Sequence, residues 1–240
     1  MNTMKEENVI SKVYLIPSVL HEDAIQTIPH YIPDAVKNCE VFFVENERTA
    51  RRFLKRLWKE IIIDNYKWVT IHKAEAEVKN QFVQFLKQGN NIGIISEAGC
   101  PGVADPGQIL VGVAHANNAE VIPLVGPSSI LLALMASGLN GQQFQFVGYL
   151  PIDNAERAKA LKSVESESSK KNCTQIFIET PYRNNQLLET ILKTCMPATR
   201  LCIAAALTSE NEWVKTKPIG EWKKSVPDLH KKPTVFLLLA

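Results

Sequence analysis

The segment with the most chemical content is Ile94-Ile95-Ser96-Glu97-Ala98-Gly99-Cys100-Pro101-Gly102-Val103-Ala104-Asp105-Pro106-Gly107. An apolar, strand-like run gives way to a loop of small residues, and a helix is expected directly after it. Small residues leave the main chain bare for a ligand, and Gly99 and Gly102 permit the positive φ angles that such a loop uses. In open α/β sheets, loops of this kind lie at the carboxyl ends of strands, where ligands bind. The same composition also suits a plain tight connection, with Pro106 at the first helical position and Asp105 capping it. A glycine loop alone does not separate the two.

A second chemical feature is a helix expected over residues 48–61. Ala50, Phe53, Leu54, Leu57, Trp58 and Ile61 recur at i, i+3, i+4 spacing and form its apolar stripe. Arg48, Arg52, Lys55, Arg56 and Lys59 fall on the opposite face. Such a face either holds a nucleic-acid backbone or is simply solvated. His21, His30, His72, His115 and His230 show no metal-ligand spacing. The five cysteines (39, 100, 173, 195 and 202) are scattered, with no CxxC pair. That argues against a disulfide framework or a zinc site and suits a reducing compartment.

The elements that must position these groups alternate along the chain. Strands are expected at 13–16, 41–44, 68–71, 92–95 and 121–125, with helices at 48–61 and 75–88 and a further one opened by Pro106. The alternation is that of a doubly wound α/β domain. The second half repeats it less regularly: a helix at 128–137 ended by Gly138, a strand at 144–149, a charged helix at 155–167, and a polar stretch at 165–172 read as a solvated turn. Strands at 175–178, 201–205 and 235–239 follow, with a helix at 184–195. The boundary falls at Gly126-Pro127, giving domains 1–125 and 126–240.

Composition sets outer bounds. With 27 basic against 25 acidic residues in 240, no global field selects a polyanionic partner, so a nucleic-acid contact must come from a local patch. No apolar run reaches the roughly 18 residues of a membrane helix. The N-terminal MNTMKEENVISK lacks the apolar core of a secretion signal, so a cytoplasmic location is expected.

Taken with Leu124-Val125-Gly126-Pro127-Ser128-Ser129 and Phe146-Val147-Gly148-Tyr149-Leu150-Pro151, the small-residue loop resembles the tetrapyrrole methylase superfamily. The nearest branch is that of bacterial enzymes methylating a cytidine 2′-hydroxyl of small-subunit ribosomal RNA. That branch carries a Ser-Asp-Ala-Gly-Thr-Pro…Asp-Pro-Gly loop, then Gly-Pro, then Gly-Phe-Leu-Pro, at nearly these spacings. Glu45 and Arg48 match two positions of its Glu-Asp-Thr-Arg motif. Ile176-Phe177-Ile178-Glu179 and Arg183 resemble its Phe-Tyr-Glu-Ser…His-Arg motif.

The resemblance implies a two-domain α/β fold with a parallel, doubly wound N-terminal sheet and a mixed C-terminal sheet, the cofactor lying in a cleft between them. It implies S-adenosylmethionine folded against Ala98, Gly99, Cys100 and Pro101, with Asp105 in the same loop and Gly126, Ser128 and Ser129 flanking the cofactor. Methyl transfer from a sulfonium is an in-line displacement, so the protein must chiefly align the partners and exclude water. A hydroxyl acceptor needs a positioned base, for which Glu45 and Glu179 are the candidates, while Arg48 and Arg183 suit a phosphate or carboxylate. The alternative is that each carboxylate is a strand-end residue paired with an arginine. The resemblance also implies a homodimer, for which Trp213 and Trp222 are apolar residues a partner could cover, core packing being the other reading.

The departures bear on the acceptor. The family opens the first strand into Pro-Thr-Pro-Ile-Gly-Asn or Gly-x-Gly-Pro-Gly, whereas this chain has Pro17-Ser18-Val19-Leu20-His21-Glu22-Asp23, without glycine. Arg-Glu-Leu-Thr-Lys is here Ala205-Ala206-Leu207-Thr208-Ser209, and Lys-Gly-Glu is Lys231-Lys232-Pro233. The leading acceptor is an rRNA ribose hydroxyl. A tetrapyrrole or other small molecule comes next, and then a non-catalytic module that binds S-adenosylmethionine or RNA. No GxGxxG follows any strand, which disfavours a Rossmann oxidoreductase.

Overall fold

Val41-Phe42-Phe43-Val44 is apolar at every position, as a strand covered on both faces must be. The computed structural model describes residues 10–71 and 75–240, and the chain divides into two units, residues 1–127 and 128–240. In the first unit β1 (Lys12–Ile16), β2 (Val41–Val44), β3 (Lys67–Thr70), β4 (Ile92–Ile95) and β5 (Glu120–Pro123) form one sheet in the order β3-β2-β4-β1-β5. Every neighbouring pair is parallel.

Two-residue alternation sends the strand side chains to opposite layers. Tyr14, Ile16, Phe42, Val44 and Ile95 pack against Ile32 and Val36 of α1 (Ile32–Lys37) and Phe53 and Leu54 of α2 (Glu47–Leu57). Val13, Val41, Phe43, Ile92 and Ile94 face Phe82 and Leu86 of α3 (Glu75–Lys87) and Leu110 and Val113 of α4 (Gln108–Ala116). Adjacent strands β1 and β4 therefore send their following helices, α1 and α4, to opposite faces of the sheet. That is a topological switch point, and the crevice outside the carboxyl ends of such strands is where open α/β sheets bind ligands.

The second unit contains α5 (Ser129–Ser137), β6 (Phe144–Tyr149), α6 (Asn154–Lys171), β7 (Thr174–Ile178), α7 (Asn184–Thr194), β8 (Arg200–Ala205), β9 (Trp213–Pro218), α8 (Ile219–Trp222) and β10 (Thr234–Leu239). Its sheet runs β6-β7-β10-β8-β9, with β6 and β7 parallel and the other pairs antiparallel. One core packs Phe177, Ile203 and Phe236 against Leu161 of α6, Leu188 and Ile191 of α7 and Trp222 of α8. The α/β class with one parallel and one mixed sheet is as the sequence reading expects.

Several expectations need correction. Helix α4 starts at Gln108, with Gly107 (φ 126°) at the N-cap position in place of Asp105, and Pro106 lies before the helix. The polar stretch at 165–172 is not a turn, since α6 continues to Lys171 and ends on Asn172 in the left-handed region. Tertiary contacts hold that extension: Ser168 is fully buried and its hydroxyl oxygen accepts from the Ala240 N–H (3.0 Å), while Glu165 accepts from the Met196 N–H (2.8 Å). Helix α2 ends at Leu57 because Trp58 turns extended (φ −140°, ψ 100°), which leaves Lys59 outside it. Strand β9 and helix α8 were not expected. Trp222 is 2 % exposed and donates its indole N–H to the Leu201 carbonyl (2.9 Å), and Trp213 packs on the same core. Neither is the exposed apolar patch that motivated a dimer.

Candidate functional site

The loops that leave β1, β2, β4 and β5 meet at the carboxyl ends of the parallel strands. Ser18, two residues past β1, exchanges two main-chain hydrogen bonds with Gly99: Ser18 N–H to Gly99 O (2.8 Å) and Gly99 N–H to Ser18 O (3.2 Å). The Ser18 hydroxyl donates to the Ser96 carbonyl (3.0 Å), so one serine clamps both ends of Ser96–Gly99. Gly99 has φ 77°, and a Cβ there would lie 3.2 Å from both Leu20 Cδ2 and Pro127 O. Only glycine takes that backbone shape without strain, and its buried N–H and carbonyl are both committed to Ser18. A Cβ on Gly126 would fall 2.1 Å from Pro17 Cβ, so the β5 and β1 loops touch through the missing side chain.

The β2 loop adds charge. Glu45 follows β2 directly and accepts from the Glu97 N–H (2.9 Å). Asn46 caps α2, accepting from Arg48 N–H (3.0 Å) and Thr49 N–H (3.4 Å), and this aims the first turn at the β4 loop. There the Thr49 hydroxyl donates to the Glu97 carboxylate. Asp105 lies in the same acidic field: burial first, then the charges of Glu45 and Glu97, push its carboxyl up to about 6. Burial also raises the Cys100 thiol, whose Sγ lies 3.5 Å from Pro127 O, so it is poorly suited to act as a thiolate nucleophile.

Beside this loop lies a cavity of about 170 Å³, open to solvent. Its walls include Ser18, Val19, Phe53, Ser96 and Glu97, and Arg52 and Arg56 border it. This corrects the uniform basic outer face expected for the helix. Arg52 and Arg56 face the cavity, whereas Lys55 turns back to the Ile61 carbonyl.

Within the first unit the structure thus brings together Glu45, Gly99, Cys100, Asp105 and Gly126, with Pro101 buried and Ala98 exposed in the same loop and Arg48 in the first turn of α2. Ser128 and Ser129 belong to the second unit, where Ser128 is the N-cap of α5 and its carbonyl accepts from Leu132 N–H (3.0 Å). Glu179 and Arg183 also lie in that unit and form an ion pair of 2.6 Å, with the Glu179 carboxylate also accepting from the Thr180 N–H (2.6 Å). Burial alone would raise Glu179, but the Arg183 guanidinium and Thr180 hold it below the usual carboxylate range. As placed, it is a committed anion and a weak base.

Glu97, Thr49, Ser18 and Ser96 were not singled out from sequence. Glu97 was the one within reach, being the only carboxylate directly after β4 in the quoted loop. Among the described residues no group of three or more His, Cys, Asp or Glu is placed to hold a metal, and His72 lies outside the described residues. No helix among the described residues is long and apolar enough to cross a membrane.

Comparison with known proteins bears on the family and the fold. A Ribosomal RNA small subunit methyltransferase I of Buchnera aphidicola subsp. Schizaphis graminum is 27 % identical over 240 residues, covering 98 % of this chain and 80 % of that protein. The protein of the same name from Escherichia coli O157:H7 is 33 % identical over 156 residues, 64 % of this chain and 53 % of the relative. Among solved structures, the methyltransferase CobJ superposes with a TM-score of 0.63 at 15 % identity, over 96 % of this chain and 93 % of its own. Uroporphyrin-III-C-methyltransferase from Thermus thermophilus gives 0.55 at 14 %, over 95 % and 92 %. The model of the tetrapyrrole (corrin/porphyrin) methylases matches residues 33–223, most of the chain, and the chain belongs to that family of methyl-transferring enzymes.

Proposed function

We propose that this protein is an S-adenosylmethionine-dependent methyltransferase acting on a ribose 2′-hydroxyl of small-subunit ribosomal RNA. The observation that carries the cofactor reading is the clamped loop at the switch point, where Ser18 fixes the shape of Ser96–Gly99 and Glu97 and Ala98 stay exposed. The donor set fits: Glu45, Glu97 and Asp105 are acidic groups around that loop, and the cofactor is cationic at its sulfonium and ammonium. Ala98, Gly99, Cys100 and Pro101 would hold it, with Gly126, Ser128 and Ser129 completing the contacts. When bound, it supplies a methyl group activated on sulfur. The chain's own task is alignment and exclusion of water. As proton acceptor for a hydroxyl, Asp105 is better suited than Glu179, because its carboxyl is raised and that of Glu179 is lowered.

The rRNA acceptor rests on the relatives' name and on the motif resemblance. A cytoplasmic location goes with it, and so does a homodimer, which now rests on the family resemblance alone. Calorimetry with S-adenosylhomocysteine tests the cofactor site: Gly99→Val should lose affinity by more than about tenfold while keeping its far-ultraviolet circular dichroism. Unchanged affinity would move the cofactor elsewhere. Incubation with methyl-labelled cofactor and unmodified small-subunit RNA tests the acceptor. Label passing only to a tetrapyrrole would overturn the RNA reading, and binding without turnover on any acceptor would make the chain a binding module.

A further inference from the structure

The cavity beside the β4 loop carries a second assignment, which rests on the RNA reading. Its two arginines, Arg52 and Arg56, are one helical turn apart on α2 and border the same space. Two carboxylates share its lining: Glu22 lies 3.5 Å from Arg52, and Glu97, which keeps its charge, takes the Thr49 hydroxyl on the β4-loop side. Arg56 has no hydrogen-bond or ion-pair partner among the described residues, and the Arg52 contact is long. Val19, Ile25 and Phe53 add apolar lining to the same space. Guanidiniums together with apolar lining match a nucleotide, phosphate on the guanidiniums and sugar or base against Val19, Ile25 or Phe53. Ser96 and Glu97 belong to this wall and to the clamped loop, so a nucleotide seated here lies against the cofactor segment.

We infer that this cavity binds one nucleotide of the acceptor RNA strand, its phosphodiester held by Arg56 with Arg52 assisting. Exchange of the weak Arg52–Glu22 contact for phosphate requires only a side-chain movement at an exposed position. The basic residues of α2 therefore act through two arginines at a cavity, and not as a continuous stripe.

Binding is measured by fluorescence anisotropy with a labelled single-stranded RNA hexamer and by calorimetry with cytidine 5′-monophosphate and cytidine. The parent should prefer the monophosphate to the nucleoside. Arg56→Gln should weaken hexamer binding about tenfold and lower its salt slope by roughly one unit. It should also abolish the preference for the monophosphate, while affinity for S-adenosylhomocysteine stays as in the parent. Lys224→Gln, an exposed change in the second unit, should alter hexamer affinity by less than about twofold. Equal binding of cytidine and its monophosphate by the parent overturns the proposal, as does an Arg56→Gln variant with the parent's affinity and slope. These readouts need no turnover. Phosphate preference that depends on Arg56 without methyl transfer to small-subunit RNA would sustain the cavity and remove the acceptor; transfer that survives Arg56→Gln with unchanged RNA KM would do the reverse.

Discussion

The two units treat carboxylates at their strand ends in opposite ways. After β7, Glu179 is buried, and an arginine four residues on and a main-chain N–H satisfy it, so its pKa falls. After β2 and β4, Glu45 and Glu97 approach each other through a carboxylate-to-N–H bond, and with burial they push Asp105 up to about 6. The first arrangement is what stability asks of a buried charge. The second holds like charges near one another beside the clamped loop, an arrangement more typical of sites than of scaffolds. The contrast sets an ion-paired carboxylate at Glu179 and Arg183 against an acidic cluster around the β4 loop.

The largest effect expected from breaking this picture comes from closing the gap between loops. Gly126→Ala forces a Cβ into Pro17 and should destabilise the first unit by about 3 kcal/mol, read from urea denaturation. A near-neutral result would mean that the β1 and β5 loops part easily and that the clamp is loose. Next comes the ion-paired carboxylate. Glu179→Gln removes the charged partner of Arg183 and should cost about 2 kcal/mol of stability, with no change in affinity for S-adenosylhomocysteine. A variant of full stability that had lost cofactor affinity would erase the distinction between the two regions.

Asp105→Asn should have the opposite sign. The folded state holds this carboxyl near 6 against an ordinary 3.8, so folding disfavours its ionised form. Its contribution to stability is therefore intact below about pH 4, lost as pH rises from 4 to 6, and level above that. Asparagine should recover about 1 kcal/mol at pH 7.5, after allowance for solvent screening, and almost nothing at pH 4. A gain independent of pH would show that packing, and not charge, sets the difference. The smallest effect concerns Cys100. Because burial raises its thiol, alkylation by iodoacetamide at pH 7.5 should run more slowly than that of free cysteine, and Cys100→Ser should change stability by less than about 1 kcal/mol. Rapid alkylation would reveal an exposed thiolate and a more open loop.

Much of the fold is legible in the sequence. Runs such as 41–44 and 92–95 announce themselves because a parallel strand must be apolar on both faces, and Gly138 and Gly89 end their helices with the positive φ that glycine favours. Strand β9 escaped notice because Trp-Val-Lys-Thr-Lys-Pro is an edge strand, partly exposed and carrying lysines, as edges tend to be. The last turn of α6 escaped because its polar residues look solvated until Ser168 and Glu165 find partners at positions 240 and 196.

By itself the sequence determined the α/β class, most of the strands and helices, and the loop around Gly99, because these depend on residue type and on spacing within one segment. It also carried the ordered motifs that mark the family. The tertiary structure alone decided which groups meet. Glu45 and Glu97 are 52 residues apart, and Ser18 and Ser96 are 78 apart. The same holds for Arg52 and Arg56: their side of α2 is readable from periodicity, but the cavity before them exists only where α2 packs across β1 and β4. Local patterns state which face of an element is apolar; the space left between packed elements is a property of all of them together, and no single segment encodes it.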